Sequence, residues 1–174
     1  MENEITKEKN TFTSLGLSCL KTVIITAAVC TFLQMFIFRV VVVQGSSMYP
    51  TYKDGDIAIS FVLGKDKIHR FDVVCADAAY SPEEKHYVIK RVIGLPGETV
   101  EYKDNRLYVN GEEISETLYI PEGVKTEDCK ITAGEGELIL LGDNREHSTD
   151  SRVHGPYKIS DLLSKGVIRV INFH

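Results

Sequence analysis

From Thr22 to Phe38 this chain runs for 17 residues without a charged side chain, and that run limits what the sequence can fold into. As a helix it would rise about 26 Å at ~1.5 Å per residue, close to the ~30 Å hydrocarbon thickness of a bilayer. Lys21 and Arg39 bracket it and can lift their charges to the two interfaces, and Val40 to Val43 prolong the apolar character. A buried core helix would carry a polar stripe, but only Thr22, Thr26, Thr31 and Gln34 interrupt this run. A cleavable secretory signal has a shorter apolar region, about 7–15 residues, ending in small residues. Here Arg39 and four valines follow instead. The sequence therefore predicts an uncleaved transmembrane anchor over 22–43, a tail over 1–21, and a separate domain over 44–174. Lys7, Lys9 and Lys21 precede the span, so the positive-inside rule predicts a cytoplasmic tail and a larger domain outside the cytoplasm.

Charge narrows the function of that larger part. Residues 45–174 hold 16 basic and 22 acidic side chains, a formal charge of −6. An acidic domain of this kind is not built to bind nucleic acid, and it has no electrostatic pull toward anionic lipid beyond its anchor. Cys19, Cys30, Cys75 and Cys129 stand singly, with neither zinc-ligand spacing nor the density of a disulfide scaffold. Whether Cys75 and Cys129 pair is open at this point.

The same part reads as mostly β. Short branched or alternating runs at Asp56–Val62, Asp72–Ala76, Tyr87–Ile93, Glu137–Leu141 and Gly166–Asn172 predict strands. Asp104-Asn105 joins Thr99–Lys103 to Arg106–Val109 as a tight hairpin, and Asn110-Gly111 leads into Glu112–Ile114 as a second. Leu95-Pro96-Gly97, Pro121-Glu122-Gly123 and Gly134-Glu135-Gly136 punctuate the rest. One helical turn is expected at Ser160–Ser164. These elements predict a small antiparallel sandwich or barrel-like domain behind one transmembrane helix.

Three segments carry chemistry. In Gly45-Ser46-Ser47-Met48-Tyr49-Pro50-Thr51 a serine hydroxyl follows the anchor directly, and it becomes a nucleophile only beside a base. In Tyr87-Val88-Ile89-Lys90-Arg91-Val92-Ile93, alternation turns Lys90 to the face opposite Ile89 and Arg91. If that face is buried, desolvation lowers the lysine's pKa toward that of a usable base. Gly142 to Arg152 is a dense polar run after an apolar strand, with Asp143 and Asp150 able to pair with basic groups.

Together with Arg70-Phe71-Asp72-Val73-Val74 and Gly94-Leu95-Pro96-Gly97-Glu98, these segments resemble, in order, the type I signal peptidase family. Its members are membrane-bound Ser-Lys proteases that remove signal peptides from exported proteins, and the single-span forms fit this length. The resemblance implies Ser47 as nucleophile and Lys90 as general base. It implies Ser148 as the hydroxyl bonded to that lysine, Asp150 as the acid orienting Ser148, and Asp143, Arg91 and Arg152 as ion-pair residues. The Ser47 N–H would serve the oxyanion, and Gly45 stands where some members have a second hydroxyl donor. Phe71 replaces a frequent glycine. Met48, Val88 and Ile89 are the candidate substrate-lining residues. The implied substrates are secreted preproteins with small residues before the cut, and no metal or cofactor is implied. A Ser47–His147–Asp150 triad is a rival chemistry, and a catalytically silent, membrane-anchored binding domain is a rival class.

Overall fold

In the computed structural model, which describes residues 2–64, 67–78, 87–121 and 123–171, the chain forms two compact units, residues 1–37 and 38–174. The first is one helix, α1 (Glu2–Phe36). Its apolar stretch, Leu15–Phe36, is 22 residues long with a mean hydropathy of 1.8 and no part buried, so its length and composition suffice to cross a membrane. The helix stops earlier than the sequence predicts. Val40–Val43 do not prolong it: β1 (Phe38–Val42) is a strand that pairs antiparallel with β2 (Ile57–Phe61), Phe38 opposite Phe61 and Val42 opposite Ile57. Consecutive β-branched side chains are stiff about χ1 in a helix and pack well on a pleated surface, so the valines belong to the sheet.

After β2 come β3 (Val73–Asp77), β4 (Tyr87–Gly94), β5 (Thr99–Lys103), β6 (Arg106–Val109), β7 (Glu112–Ile114), β8 (Cys129–Thr132) and β9 (Glu137–Leu141). The four-residue helix α2 (Ser151–His154), β10 (Tyr157–Lys158) and β11 (Leu162–Ile171) complete the unit. Both predicted hairpins have the left-handed turn backbone their residues suit, with φ of 51° and 62° at Asp104-Asn105 and 53° and 85° at Asn110-Gly111. The helical turn expected at Ser160–Ser164 is one 3-10 turn at Ile159–Asp161, and Leu162 already opens β11. Asn172 and Glu122 lie outside the described residues.

A seven-stranded antiparallel sheet is ordered β1-β2-β11-β3-β4-β9-β10, and a four-stranded one β7-β6-β5-β8. Alternation along β4 and β9 builds two cores at once. Val92, Leu138 and Leu140 pack with Val74, Tyr157 and Leu162 on one face. Ile93, Ile139 and Leu141 meet Val100, Tyr102 and Leu107 of the smaller sheet on the other. With both faces covered, β9 is apolar from Leu138 to Leu141. A Cβ at Gly94 would lie 2.8 Å from Ile139 and Val100 side chains, so only glycine fits where β4 passes between the sheets. A third core gathers Val43, Met48, Tyr52, Ala58, Cys75 and Val167 beneath the loop that follows β1.

The topology has one consequence for function. Four antiparallel steps separate β1 from β4, so the two run parallel, and both head from Arg39 and Tyr87 toward Ser47 and Lys90. β1 is a sheet edge, and β9 pairs with β4 only over Arg91–Gly94, which leaves the Tyr87–Lys90 segment without a partner on that side among the described residues. A cleft of about 530 Å³ lies between these two free edges, with Cys75, Met48, Leu163 and Ser164 in its floor.

Candidate active site

Ser47 is held by its neighbours rather than by regular structure. Gly45 takes φ 81°, and its N–H donates to Asp54 Oδ1 at 2.7 Å. Met48, 1% exposed, is sunk into the third core and anchors the next residue. Asn144 grips the segment from the far side: its backbone N–H donates to the Ser47 carbonyl at 3.0 Å and its Nδ2 to the Ser46 carbonyl at 3.1 Å.

Lys90 Nζ meets Ser47 Oγ at 2.8 Å. The lysine is 3% exposed, and burial drives its pKa from 10.5 down to about 8. The Asp150 carboxylate opposes that fall, Arg152 adds to it, and Asp143 opposes it weakly. An amine so placed can hold a lone pair against a hydroxyl near neutral pH.

Arg91 faces the other way. Its Nε and Nη2 donate to the two Asp143 oxygens at 2.8 and 2.6 Å, its Nη1 to the Phe71 carbonyl at 2.9 Å, and its guanidinium lies 4.4 Å from the Tyr119 ring centre. Thr51 Oγ1 also donates to Asp143, which ties the Ser47 loop to the same carboxylate. Phe71, with φ 72°, has the left-handed backbone that favours glycine.

Asp150 caps α2. Its carboxylate accepts from Arg152 Nε and Nη2, both at 2.9 Å, and from the Gly142 N–H at 3.0 Å. Burial would raise its pKa, but Arg152 and the Gly142 N–H outweigh that and hold it below the usual carboxylate range, with a smaller contribution from the nearby Ser148 hydroxyl. Ser148 differs from expectation. Its Oγ is buried at the site but makes no hydrogen bond of good geometry, to Lys90 or to Asp150, among the described residues. It packs against Gly142, where an added Cβ would fall on both Ser148 Oγ and the Ser47 carbonyl oxygen, so Gly142 is what lets the two serine segments close together.

The sequence reading did not single out Arg145. Only 2% exposed, it donates to the Gly142 carbonyl at 3.0 Å, to Glu116 at 2.7 Å and to the Tyr102 hydroxyl, so it ties the polar loop to the smaller sheet. Its place inside the Gly142–Arg152 run was the available signal, but its partners lie 29 and 43 positions away. His147 is exposed, and Asp150 is engaged by Arg152 and Gly142, so this geometry does not assemble the rival triad. Of the expected lining residues, Met48 and Ile89 share the third core, whereas Val88 packs on the first. Cys75 and Cys129 are separate thiols, one in the cleft floor and one on β8. Among the described residues no group of three His, Cys, Asp or Glu side chains is placed to hold a metal ion.

Comparison with known proteins identifies the family of the chain. The family model described as signal peptidase, peptidase S26, matches residues 17–171. A signal peptidase I of Bacillus caldolyticus is 36% identical over 148 residues, 76% of this chain and 79% of its own length. Signal peptidase I V of Bacillus subtilis (strain 168) is 37% identical over 141 residues, 72% of this chain and 80% of its own. The crystal structure of a signal peptidase I from Enterococcus faecalis V583 aligns with a TM-score of 0.48 at 37% identity, covering 56% of this chain and 95% of that one. From the anchor-like helix through the Ser47 and Lys90 segments to β11, the chain belongs to the signal peptidase family, peptidase S26, the serine endopeptidases that remove signal peptides.

Proposed function

We propose that Ser47 is the nucleophile and Lys90 the general base of this peptidase. The carrying observation is the 2.8 Å contact between Ser47 Oγ and a buried amine whose pKa is near 8. With Lys90 neutral, the Ser47 hydroxyl donates its proton to Nζ as Oγ attacks the scissile carbonyl. The ammonium then returns that proton to the leaving amine, and an acyl ester remains on Ser47. Nζ next takes a proton from water, the hydroxide adds to the ester carbonyl, and the ammonium returns that proton to Ser47 Oγ as the acyl–oxygen bond breaks. The Ser47 N–H serves the oxyanion. Gly45 brings no side-chain donor, so the place of a second hydroxyl is empty in this chain. Asp150 and Arg152 hold the loop that carries Ser148 against the pair, and Arg91 and Asp143 hold β4 against that loop.

The substrates are secreted preproteins. Their segment before the cut lies extended between the free edges of β1 and Tyr87–Lys90, pairing its backbone with one or both. Met48, Val88 and Ile89 crowd this cleft near the catalytic pair and admit small side chains just before the scissile bond. α1 crosses the bilayer with the tail over 1–21 on the cytoplasmic side, and the β-rich part of the chain works at the outer surface.

Cleavage of a membrane-inserted preprotein by single variants tests the assignment. Ser47→Ala and Lys90→Met should each lose about 10³-fold or more in rate while keeping the wild-type β-sheet circular dichroism. His147→Ala should stay within about twofold of wild type. An active Lys90→Met beside a dead His147→Ala would overturn the base assignment.

A further inference from the structure

The cleft has two ends of different chemistry. Ser47 and Lys90 stand at one, and at the other, where β1 and β4 begin, Arg39 and Tyr87 line it. Side chains alternate along a strand, so Arg39 shares a face with Val41 and Val43, which pack into the core around Met48 and Cys75. Val40 and Val42 point the other way and are 56% and 54% exposed. Arg39, itself exposed, therefore lines the mouth of the cleft on the same face of β1 as Val41 and Val43. The thiol in the floor responds to it: burial raises the Cys75 pKa, and Ser164, Ser60 and the Arg39 charge pull it back.

Arg39 also differs from every other arginine in the chain. Arg70, Arg91, Arg106, Arg145, Arg152 and Arg169 each pair with a carboxylate, and Arg39 has none among the described residues. A lone guanidinium on the substrate face of a cleft is a planar fork of donors, and its best complement is a carboxylate.

We propose that Arg39 is a specificity-determining residue that selects a side-chain carboxylate, and disfavours a cation, in the preprotein about four to six residues before the scissile bond. The position follows from strand geometry. Arg39 lies four residues before Val43, roughly 13 Å at ~3.3 Å per step, and a substrate strand laid along the β1 edge keeps pace with it. This inference rests on the protease reading above, because it takes the cleft to be filled by an extended substrate. Arg39 also follows the end of α1 by three positions, so anionic lipid is the competing occupant, and the test separates the two.

Full-length protein in nonionic detergent is assayed on preproteins carrying Glu, Gln or Lys singly at the third to seventh positions before the cut. Wild type should prefer Glu over Lys by about three- to tenfold in kcat/KM, the size of a partly screened ion pair. The preference should sit at one or two adjacent positions, act through KM, and shrink as ionic strength rises. Arg39→Gln should erase it with kcat on the Gln substrate unchanged, Arg39→Glu should invert it, and Arg39→Lys should keep it in weakened form. The same Glu-to-Lys ratio in wild type and Arg39→Glu at every position would overturn the proposal. So would a preference that emerges only when phosphatidylglycerol vesicles replace the detergent, since Arg39 would then be serving the lipid surface. Each result is a ratio between substrates that are cut, whereas failure of the protease reading would show separately, as cleavage surviving in Ser47→Ala.

Discussion

Lys90 and Arg91 are neighbours on β4, 3% and 4% exposed, and the fold treats their charges in opposite ways. Arg91 has a buried carboxylate with two matched hydrogen bonds, a carbonyl and an aromatic face, so its charge is fully met. Lys90 has a serine hydroxyl, with Asp150 engaged by Arg152 and Asp143 by Arg91. A period-2 strand separates the two solutions by a single residue. Burying a satisfied cation makes a strut, and burying an unsatisfied one suits the base we propose at Lys90. The same desolvation that costs stability at Lys90 brings its lone pair into use near neutral pH.

Breaking the strut should give the largest loss of stability. Asp143→Ala leaves Arg91 buried without its partner and removes the Thr51 acceptor, and should cost about 3–5 kcal/mol. Urea unfolding followed by tyrosine fluorescence can measure this, since the chain has 8 Tyr and no Trp. An Asp143→Ala protein within about 1 kcal/mol of wild type would show that the Arg91 charge does not need its carboxylate.

Lys90→Met should move stability the other way. The fall from 10.5 to about 8 corresponds to roughly 3 kcal/mol of penalty on the charged form. Between those two values the unfolded chain holds a proton that the folded one has lost, so wild-type stability rises with pH there. Below about 8 the penalty is whole, so Lys90→Met should be more stable than wild type by about 1–3 kcal/mol at pH 7, with the gap closing toward pH 10.5. A less stable Met variant would mean that Lys90 is met by partners as Arg91 is. Activity sharpens the same point: kcat/KM should rise about fivefold from pH 7 to 8 and level off by about pH 9, where an ordinary lysine would keep climbing tenfold per pH unit.

The smallest effects belong to the loop that supports Lys90. Asp150→Ala frees Arg152, the Gly142 N–H and the α2 cap together, whereas Ser148→Ala removes a hydroxyl with no strong bond in this state. Asp150→Ala should therefore slow cleavage more, with about 1–3 kcal/mol at stake in the Ser148 variant if its hydroxyl engages Lys90 during the reaction. Equal, near-normal rates for both would detach the loop from the base.

Removing residues 1–36 tests the two units against each other. β1 starts at Phe38, so this cut keeps the cleft wall, whereas a cut at Val43 would remove it. The shortened protein should keep its rate on soluble peptides and lose rate on membrane-inserted preproteins, because shared residence in a bilayer raises effective concentration. An unchanged preprotein rate would reduce the helix to a means of localisation.

Much of this was legible in the chain itself. The uncharged run, the two left-handed turns at Asp104-Asn105 and Asn110-Gly111, and the alternation that separates Lys90 from Arg91 are local patterns, set by composition over a few residues and by backbone sterics. The ordered motifs around Ser47, Lys90 and Gly142–Arg152 named the residues that the fold then brings together. What the sequence could not decide was which residues meet across a distance. The valines after Arg39 suit a bilayer and a strand equally, and pairing with Ile57–Phe61 settled the matter. Thr51 meets Asp143 across 92 positions and Arg145 meets Glu116 across 29, contacts that exist only because the sheets close on one another. Ser148 reaches the site beside Asp150, whose pKa its hydroxyl helps to lower, but its Oγ makes no hydrogen bond to Lys90 among the described residues. The depressed pKa of Lys90 is decided the same way: a lysine's identity is written in the chain, but its desolvation depends on the walls that tertiary packing builds around it.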